Sequence, residues 1–291
     1  MTDKTSKEMS REQYSQVGDA YVRSQTHATG VDLDYLIEMV QPQKDWQVLD
    51  VATGGGHTAL TLATHVQQVI AVDLTPNMVE TARKFVCDEK GQSNVTFQLA
   101  DAENLPFEDD SFDLVTCRIA AHHFPDCQKF IAESVRVLKQ GGVLAVQDHV
   151  LPEEENHALY VDQFERLRDP SHFRAYSEQQ WRRMFENGGL KVEQTRQLTK
   201  RHNFIDWAKR MNCTQETLEE LVAMMKNAPD AVITWLEPLP DAGHFGEADT
   251  SFVNHHIIVV GRKGKSNGDF SHVMLNIKIS TTSPLSTCLP I

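Results

Sequence analysis

The 291 residues carry 41 acidic and 28 basic side chains, a formal charge of −13, with 40% hydrophobic and 24% charged residues. A chain this long buries one large core or two small ones, and its negative balance excludes the positive potential that nucleic acid or an anionic membrane surface requires. Five cysteines without a CxxC spacing point to reduced thiols rather than a disulfide framework; with no apolar leader and no run of membrane-spanning length, the expected compartment is the cytoplasm.

Residues 1–28 are polar, with weak helical spacing at Tyr14, Val17, Ala20 and Tyr21. Leu33, Leu36, Ile37 and Val40 then recur at i, i+3, i+4 and i+7, the stripe of an amphipathic helix that Pro42 ends. From Gln47 to Gln147, short apolar runs alternate with helical segments: strands are expected at 47–51, 69–73, 95–99, 112–117 and 142–147, with helices near 57–64, 77–89 and 127–139. That alternation predicts a doubly wound, mostly parallel α/β sheet with right-handed crossovers. In such folds ligands bind outside the carboxyl ends of the strands, so the residues just after each strand are the ones to inspect.

The first strand runs into Asp50-Val51-Ala52-Thr53-Gly54-Gly55-Gly56-His57, where successive glycines permit a sharp turn and close approach of a ligand. An ordinary tight turn fits these residues equally well. The second strand ends at Asp73-Leu74-Thr75-Pro76, with Thr75 suited to cap a helix and Pro76 to open it. Asp73 follows Gly54 by 19 residues, a position from which a carboxylate accepts hydrogen bonds from ribose hydroxyls, or serves only as a helix-end carboxylate. Asp101 follows the third strand, where a carboxylate can accept from an adenine amine. Leu105–Val115 reads as a turn feeding the fourth strand, and that strand leads into Arg118-Ile119-Ala120-Ala121-His122-His123.

Taken in order, the Asp50–His57 loop, Asp73-Leu74-Thr75, Asp101-Ala102-Glu103, Leu105-Pro106-Phe107, Asp110-Ser111-Phe112-Asp113 and Arg136–Gly142 resemble class I methyltransferases that use S-adenosylmethionine (SAM). Cys117–Phe124 and Arg168-Asp169-Pro170-Ser171-His172 more narrowly resemble bacterial methyltransferases without an assigned substrate (methyltransferase type 11), related to the enzymes of ubiquinone and menaquinone biosynthesis. The core of the likeness spans residues 45–150, and the narrower one reaches about 263. One position departs from the pattern, because Ala52 stands where the first glycine is usual. The extra methyl is expected to shift the ligand slightly and leave the loop intact.

The resemblance implies a Rossmann-like sheet with an antiparallel last strand and helices on both faces. It implies that Ala52, Gly54 and Gly56 pass under the methionine part of SAM while Asp50 holds its ammonium group directly or through water. It places Asp73 on the ribose, Leu74 and Met78 against the adenine, Asp101 on the adenine amine, Ala102 at the ring edge, and Arg118 and Ile119 beside the ligand, with Tyr21 closing over the methionine. The expected domains are an N-terminal helical cap at 1–28, a methyltransferase domain at 29–263 with core 45–150 and lid insertions 151–189 and 200–250, and a disordered tail at 264–291. Within the insertions, helices are expected at about 158–167, 177–187, 203–211 and 214–227, and strands at 190–198, 231–236 and 252–260.

The expected reaction is methyl transfer to a small molecule, aromatic or quinone-like, by a monomer or homodimer. A general base is needed only for a protonated acceptor; His123 and His149 are favoured among His122, His123, His149 and His172 because they follow strands on the ligand side. His122-His123 and His255-His256 suggest no metal site, since neighbours on a strand face opposite ways and no cysteine or carboxylate stands at ligand spacing. Arg168 and Arg174 suit either an acidic substrate or surface ion pairs. Two alternatives are a SAM-binding protein without activity, and an NAD(P)-dependent oxidoreductase, because Gly54, Gly56 and Ala59 also fit G-x-G-x-x-(G/A).

Overall fold

Successive side chains of the strand Gln47–Val51 (β1) point to opposite faces, and both faces are buried: Val48 enters one apolar cluster, Leu49 and Val51 the other. The same division runs through Gln68–Asp73 (β2), Phe112–Arg118 (β4) and Leu138–Leu151 (β5). A strand covered on both sides reads as a near-continuous apolar run, as expected of a parallel sheet flanked by helices. The computed structural model describes residues 6–22 (side chains through Ser15), 31–247 and 249–264. The tail expected to be disordered lies outside the described residues apart from Gly264.

With Val95–Leu99 (β3), Leu190–Asn203 (β7) and Ser251–Lys263 (β8), the strand order is β3-β2-β1-β4-β5-β8-β7, and the short Tyr176–Ser177 (β6) pairs with the far end of β5. Strands β1 to β5 are parallel, and β8 runs antiparallel to both β5 and β7. The order reverses between β1 and β4, so the ligand crevice of a doubly wound sheet falls at their carboxyl ends.

One face is covered by the helices Val31–Val40 (α2) and His57–Ala63 (α3), through Leu36, Met39, Ala59 and Leu62. The other is covered by Cys127–Val137 (α5) and Glu178–Asn187 (α7), through Phe130, Ile131, Trp181 and Phe185. Each large apolar side chain so buried contributes about 1.5–3 kcal/mol. Helix α5 is capped by Asp126, which accepts from the Lys129 N–H, and α7 by a capping box between Ser177 and Gln180. An N-terminal helix, Ser6–Val22 (α1), lies at the carboxyl end of the sheet against Pro76–Arg83 (α4), a helix opened by Pro76 and continued by a π-helical stretch, Lys84–Glu89.

The chain after residue 150 builds a third cluster. Glu155–Arg168 (α6), Phe204–Lys209 (α8), Gln215–Lys226 (α9) and Asp230–Leu236 (α10) pack Phe164, Trp207, Leu221, Met225, Val232 and Leu236 against Phe252 of β8. Residues 230–236 are therefore helical, not the strand expected there. Pro229 precedes the first turn, and Val232 and Leu236, four apart on one helical face, reach the cluster together; that burial outweighs the β-branched character of Val232, Ile233 and Thr234. Strands β5, β7 and β8 also run longer than their apolar stretches, because their polar ends pair with one another beyond the central sheet.

Candidate functional site

The carboxyl ends of β1, β2, β3 and β4 open on one cleft of about 970 Å³, mouth included. Its floor is the loop after β1. Gly54 and Gly56 adopt left-handed backbone at φ +53 and +82, and so does Ala52 at φ +53. The chain thus keeps the loop shape expected, with Ala52 in a conformation that an L-residue adopts at a cost of about 1–2 kcal/mol. Gly56 is required for a second reason: a Cβ there would stand 2.8 Å from Val86 Cγ2 and 3.2 Å from Ala82 Cβ.

Asp50 is buried beneath this loop instead of lining the cleft. Its Oδ2 accepts from Thr53 Oγ1 at 2.6 Å and its Oδ1 from Thr116 Oγ1 at 2.8 Å. Burial raises its pKa to about 6 against the pull of the two hydroxyls. Its observed contacts brace the loop; they are not those of a group waiting at the cleft wall.

Asp73 does line the cleft. Its Oδ2 accepts from the Gly54 N–H at 3.0 Å and its Oδ1 from the Thr75 N–H at 2.9 Å. Burial pushes its pKa up, and the two backbone donors oppose that shift. The Thr75 hydroxyl and the Leu74 N–H also favour the carboxylate form, so the group is held from the loop side while it borders the cleft. Leu74, Met78, Asp101, Ala102, Arg118 and Ile119 complete the wall as expected. Ile119 is left-handed at φ +54, a strained state for a β-branched residue and one that clusters at functional sites. Arg118 is fixed by Thr58 Oγ1 at 3.0 Å and Asp32 at 2.7 Å, and Asp32 also accepts from Gln147 Nε2 at 2.9 Å.

Helix α1 forms the roof with Lys7, Ser10 and Tyr14. Lys7 Nζ lies 2.7 Å from Asp101 Oδ2 and 2.6 Å from Glu103 Oε2. Desolvation works against the Asp101 carboxylate, but the Lys7 hydrogen bond, the Glu103 N–H and the Lys7 charge together hold its pKa below the usual range. Tyr14 is the tyrosine found over the cleft; the backbone of Tyr21 belongs to α1, and its side chain lies outside the described residues. Lys7, Ser10, Thr53, Gly55, His57, Thr58, Thr75, Phe124 and Pro125 also line the cleft without having been singled out. Thr75 was legible beside Asp73; Lys7 was not, because nothing in a polar N-terminal stretch tells which cation meets a distant carboxylate.

Of the two favoured histidines, His123 lines the cleft and His149 does not. His123 Nδ1 lies 2.9 Å from the Ser171 carbonyl, which can only accept, so the ring proton belongs on Nδ1. Its Nε2 then accepts from Tyr14 Oη at 2.8 Å. Burial lowers its pKa, leaving a neutral ring with a basic nitrogen turned toward the cleft. Behind it the rings of His122, His149, His172 and His256 gather. His122 stands 4.1 Å from His123, 4.7 Å from His149 and 5.1 Å from His172, centre to centre, and His149 stands 4.7 Å from His256. His122 and His123 lie on a 3-10 turn, Ala121–His123, so the strand alternation expected to separate them does not operate. It does hold on β8, where His255 turns to the Trp235 carbonyl and His256 to the cluster. Arg168 stacks on Trp207 and Arg174 on Tyr176.

A family model described as a methyltransferase domain matches residues 42–189. The uncharacterized methyltransferase YcgJ of Bacillus subtilis is 39% identical over 217 residues, covering 75% of this chain and 85% of that protein. Its crystal structure superposes with a TM-score of 0.77 at 36% identity, covering 81% of this chain and 99% of that one. A ubiquinone/menaquinone biosynthesis C-methyltransferase of a Geobacter species is 36% identical over 109 residues, 36% of this chain and 46% of that protein. The phosphoethanolamine N-methyltransferase 2 of Haemonchus contortus, solved with S-adenosyl-L-methionine, shares the fold with a TM-score of 0.58 at 18% identity, over 91% of this chain and 61% of that one.

Proposed function

The chain belongs to the SAM-dependent methyltransferase family, and from that premise we propose that it methylates a small molecule bearing an aromatic or quinone-like ring. The observation that carries this reading is the composition of the cleft. One wall offers Asp73, Asp101 and the glycine loop, and the other offers His123, Phe124, Pro125 and Tyr14.

The residues fit the cofactor. The Asp73 carboxylate at the cleft edge suits ribose hydroxyls, Leu74 and Met78 suit an adenine face, and Asp101 and Ala102 suit its polar edge. The glycine loop presents backbone without side chains to the methionine. When bound, SAM supplies a methyl group already activated on a sulfonium, so alignment and exclusion of water furnish much of the rate. Helix α1 serves as the cap that excludes water, and the helical segments 151–189 and 200–250 serve as lids that read the acceptor. His123 accepts the proton of a phenolic or activated-carbon acceptor at Nε2, with the Ser171 carbonyl fixing its tautomer and Tyr14 handing over the proton. A ring-bearing acceptor is supported by the aromatic side chains of the cleft and by the likeness to the ubiquinone/menaquinone biosynthesis C-methyltransferase of Geobacter. The charge of −13 argues against a nucleic-acid acceptor.

The test is transfer of labelled methyl groups to a panel of phenols and quinols, alongside titration with S-adenosylhomocysteine. His123→Ala is expected to lower turnover by about 10²–10⁴-fold, as loss of a general base does, while S-adenosylhomocysteine affinity changes less than about threefold. Failure of the ligand to bind would dismiss the reading. Binding without transfer to any ring acceptor would leave the family and discard the substrate class.

A further inference from the structure

Behind the wall formed by His123, four histidine rings, those of His122, His149, His172 and His256, gather with the carboxylates of Asp148 and Asp162. Asp148 is 1% exposed; its Oδ1 accepts from His122 Nδ1 at 2.6 Å and from the His149 N–H at 2.7 Å, and its Oδ2 from the His122 N–H at 2.9 Å. That leaves a lone pair on Oδ2. His172 is held by Asp162 at 2.7 Å. His256 is 7% exposed and its Nδ1 has no hydrogen-bond partner among the described residues, an arrangement that is destabilising unless something satisfies it. Donor atoms of His122, Asp148 and His149 all lie within 4.8 Å of one another.

From this juxtaposition we propose that His122, His149 and Asp148, with His256 as a fourth ligand, form a binding site for one divalent transition-metal ion of the zinc or ferrous class. Two imidazoles on one ion, with nitrogens about 2.0–2.1 Å from it, place their ring centres roughly 4.5–5.5 Å apart at tetrahedral to octahedral angles. The separations of 4.7 Å for His122–His149 and 4.7 Å for His149–His256 fall in that range. Mixed nitrogen and carboxylate ligation without thiolate selects borderline ions over magnesium or cuprous copper. The competing explanation is a set of histidines packed for structure alone. It accounts for the Asp148–His122 and Asp162–His172 pairs, and leaves the unpartnered His256 Nδ1 without a purpose. The inference does not depend on methyl transfer or on SAM.

The test uses the full chain without a polyhistidine tag, stripped with a chelator and titrated with Co²⁺ and with Zn²⁺. One ion per chain is expected, with the visible ligand-field bands of four- or five-coordinate Co²⁺, displaced by Zn²⁺. His149→Ala and Asp148→Asn are expected to weaken binding at least about tenfold, and His255→Ala, on the opposite face of β8, to leave it unchanged. A chelator-stripped thermal melt reports whether each variant folds; His149→Gln, which keeps the volume, replaces His149→Ala if the latter does not. Absence of stoichiometric binding, or equal binding by wild type and a folded His149 variant, overturns the proposal.

Discussion

Asp73→Asn separates a ligand-binding carboxylate from a merely structural one. In the structure the carboxylate oxygens accept the Gly54 and Thr75 N–H groups, and the carboxylate borders the cleft. An asparagine keeps one oxygen, so a bound ribose loses one hydrogen bond to a charged acceptor, about 1.5–3 kcal/mol. That corresponds to roughly 10- to 150-fold weaker binding of S-adenosylhomocysteine. Stability falls as well, by about 1–3 kcal/mol, because the amide nitrogen cannot accept the backbone N–H that one carboxylate oxygen held; removing a charge that burial disfavours offsets part of that loss. Calorimetric titration and urea unfolding measure the two effects. A 2′-deoxy analogue closes the cycle: it should bind wild type more weakly than the parent and bind the variant with little difference. A variant that loses stability while binding within about threefold of wild type would show that Asp73 only staples the glycine loop, and the cofactor assignment would fall.

Three further outcomes follow from the same geometry. Asp50 titrates at about 6 in the fold and near 3.8 unfolded, so the native state holds a proton that the unfolded chain has released; the stability it confers falls by as much as about 3 kcal/mol as pH rises between those values. Subtracting the Asp50→Asn curve of unfolding free energy against pH should reveal that fall, and superposable curves would refute it. Gly56→Ala places a Cβ 2.8 Å from Val86 Cγ2 at φ +82, whereas at Gly54, φ +53, the nearest atom is Met78 Cε at 3.8 Å. The first should cost about 2–4 kcal/mol and the second about 1 kcal/mol by urea midpoint, and equal costs would contradict the assigned packing. Lys7→Ala frees Asp101 Oδ2, and S-adenosylhomocysteine should bind roughly two- to fivefold more tightly, the scale of an exposed ion pair; weaker binding would mean that Lys7 contacts the ligand.

The central sheet was legible because its strands obey local rules. Gln47–Val51 and Val95–Leu99 were located to the residue, each a short apolar run bounded by turn signals. Asp73 and Asp101 were legible for a related reason, since a parallel sheet delivers strand-end residues to one crevice, whereas Leu74, Met78, Ala102, Arg118 and Ile119 were named through the family resemblance. What escaped depends on tertiary contact. Residues 230–236 carry a strand-like composition and fold as a helix because two of them reach a distant cluster. Asp50 stands at the expected place, and only its pairing with Thr116, 66 positions away, shows it beneath the loop. The contact between His122 and His149 joins a 3-10 turn to a strand end, a proximity that spacing along the chain cannot express.

The third hydrophobic cluster gathers Phe164, Trp207, Leu221, Met225 and Phe252 and draws little on the packing that fixes the glycine loop, Asp73 and Asp101. The third cluster shares no residue with the lining of the cleft, so under the proposed reading substitutions there reshape a compartment apart from the donor seat. Descendants of one ancestor can then diverge in what they modify while inheriting a common source of methyl groups. Such a division favours lineages with many chemistries and one cofactor. Under the proposed reading of residues 200–250 as a lid, helices α8, α9 and α10 and the loops that join them are where a change of acceptor would be sought.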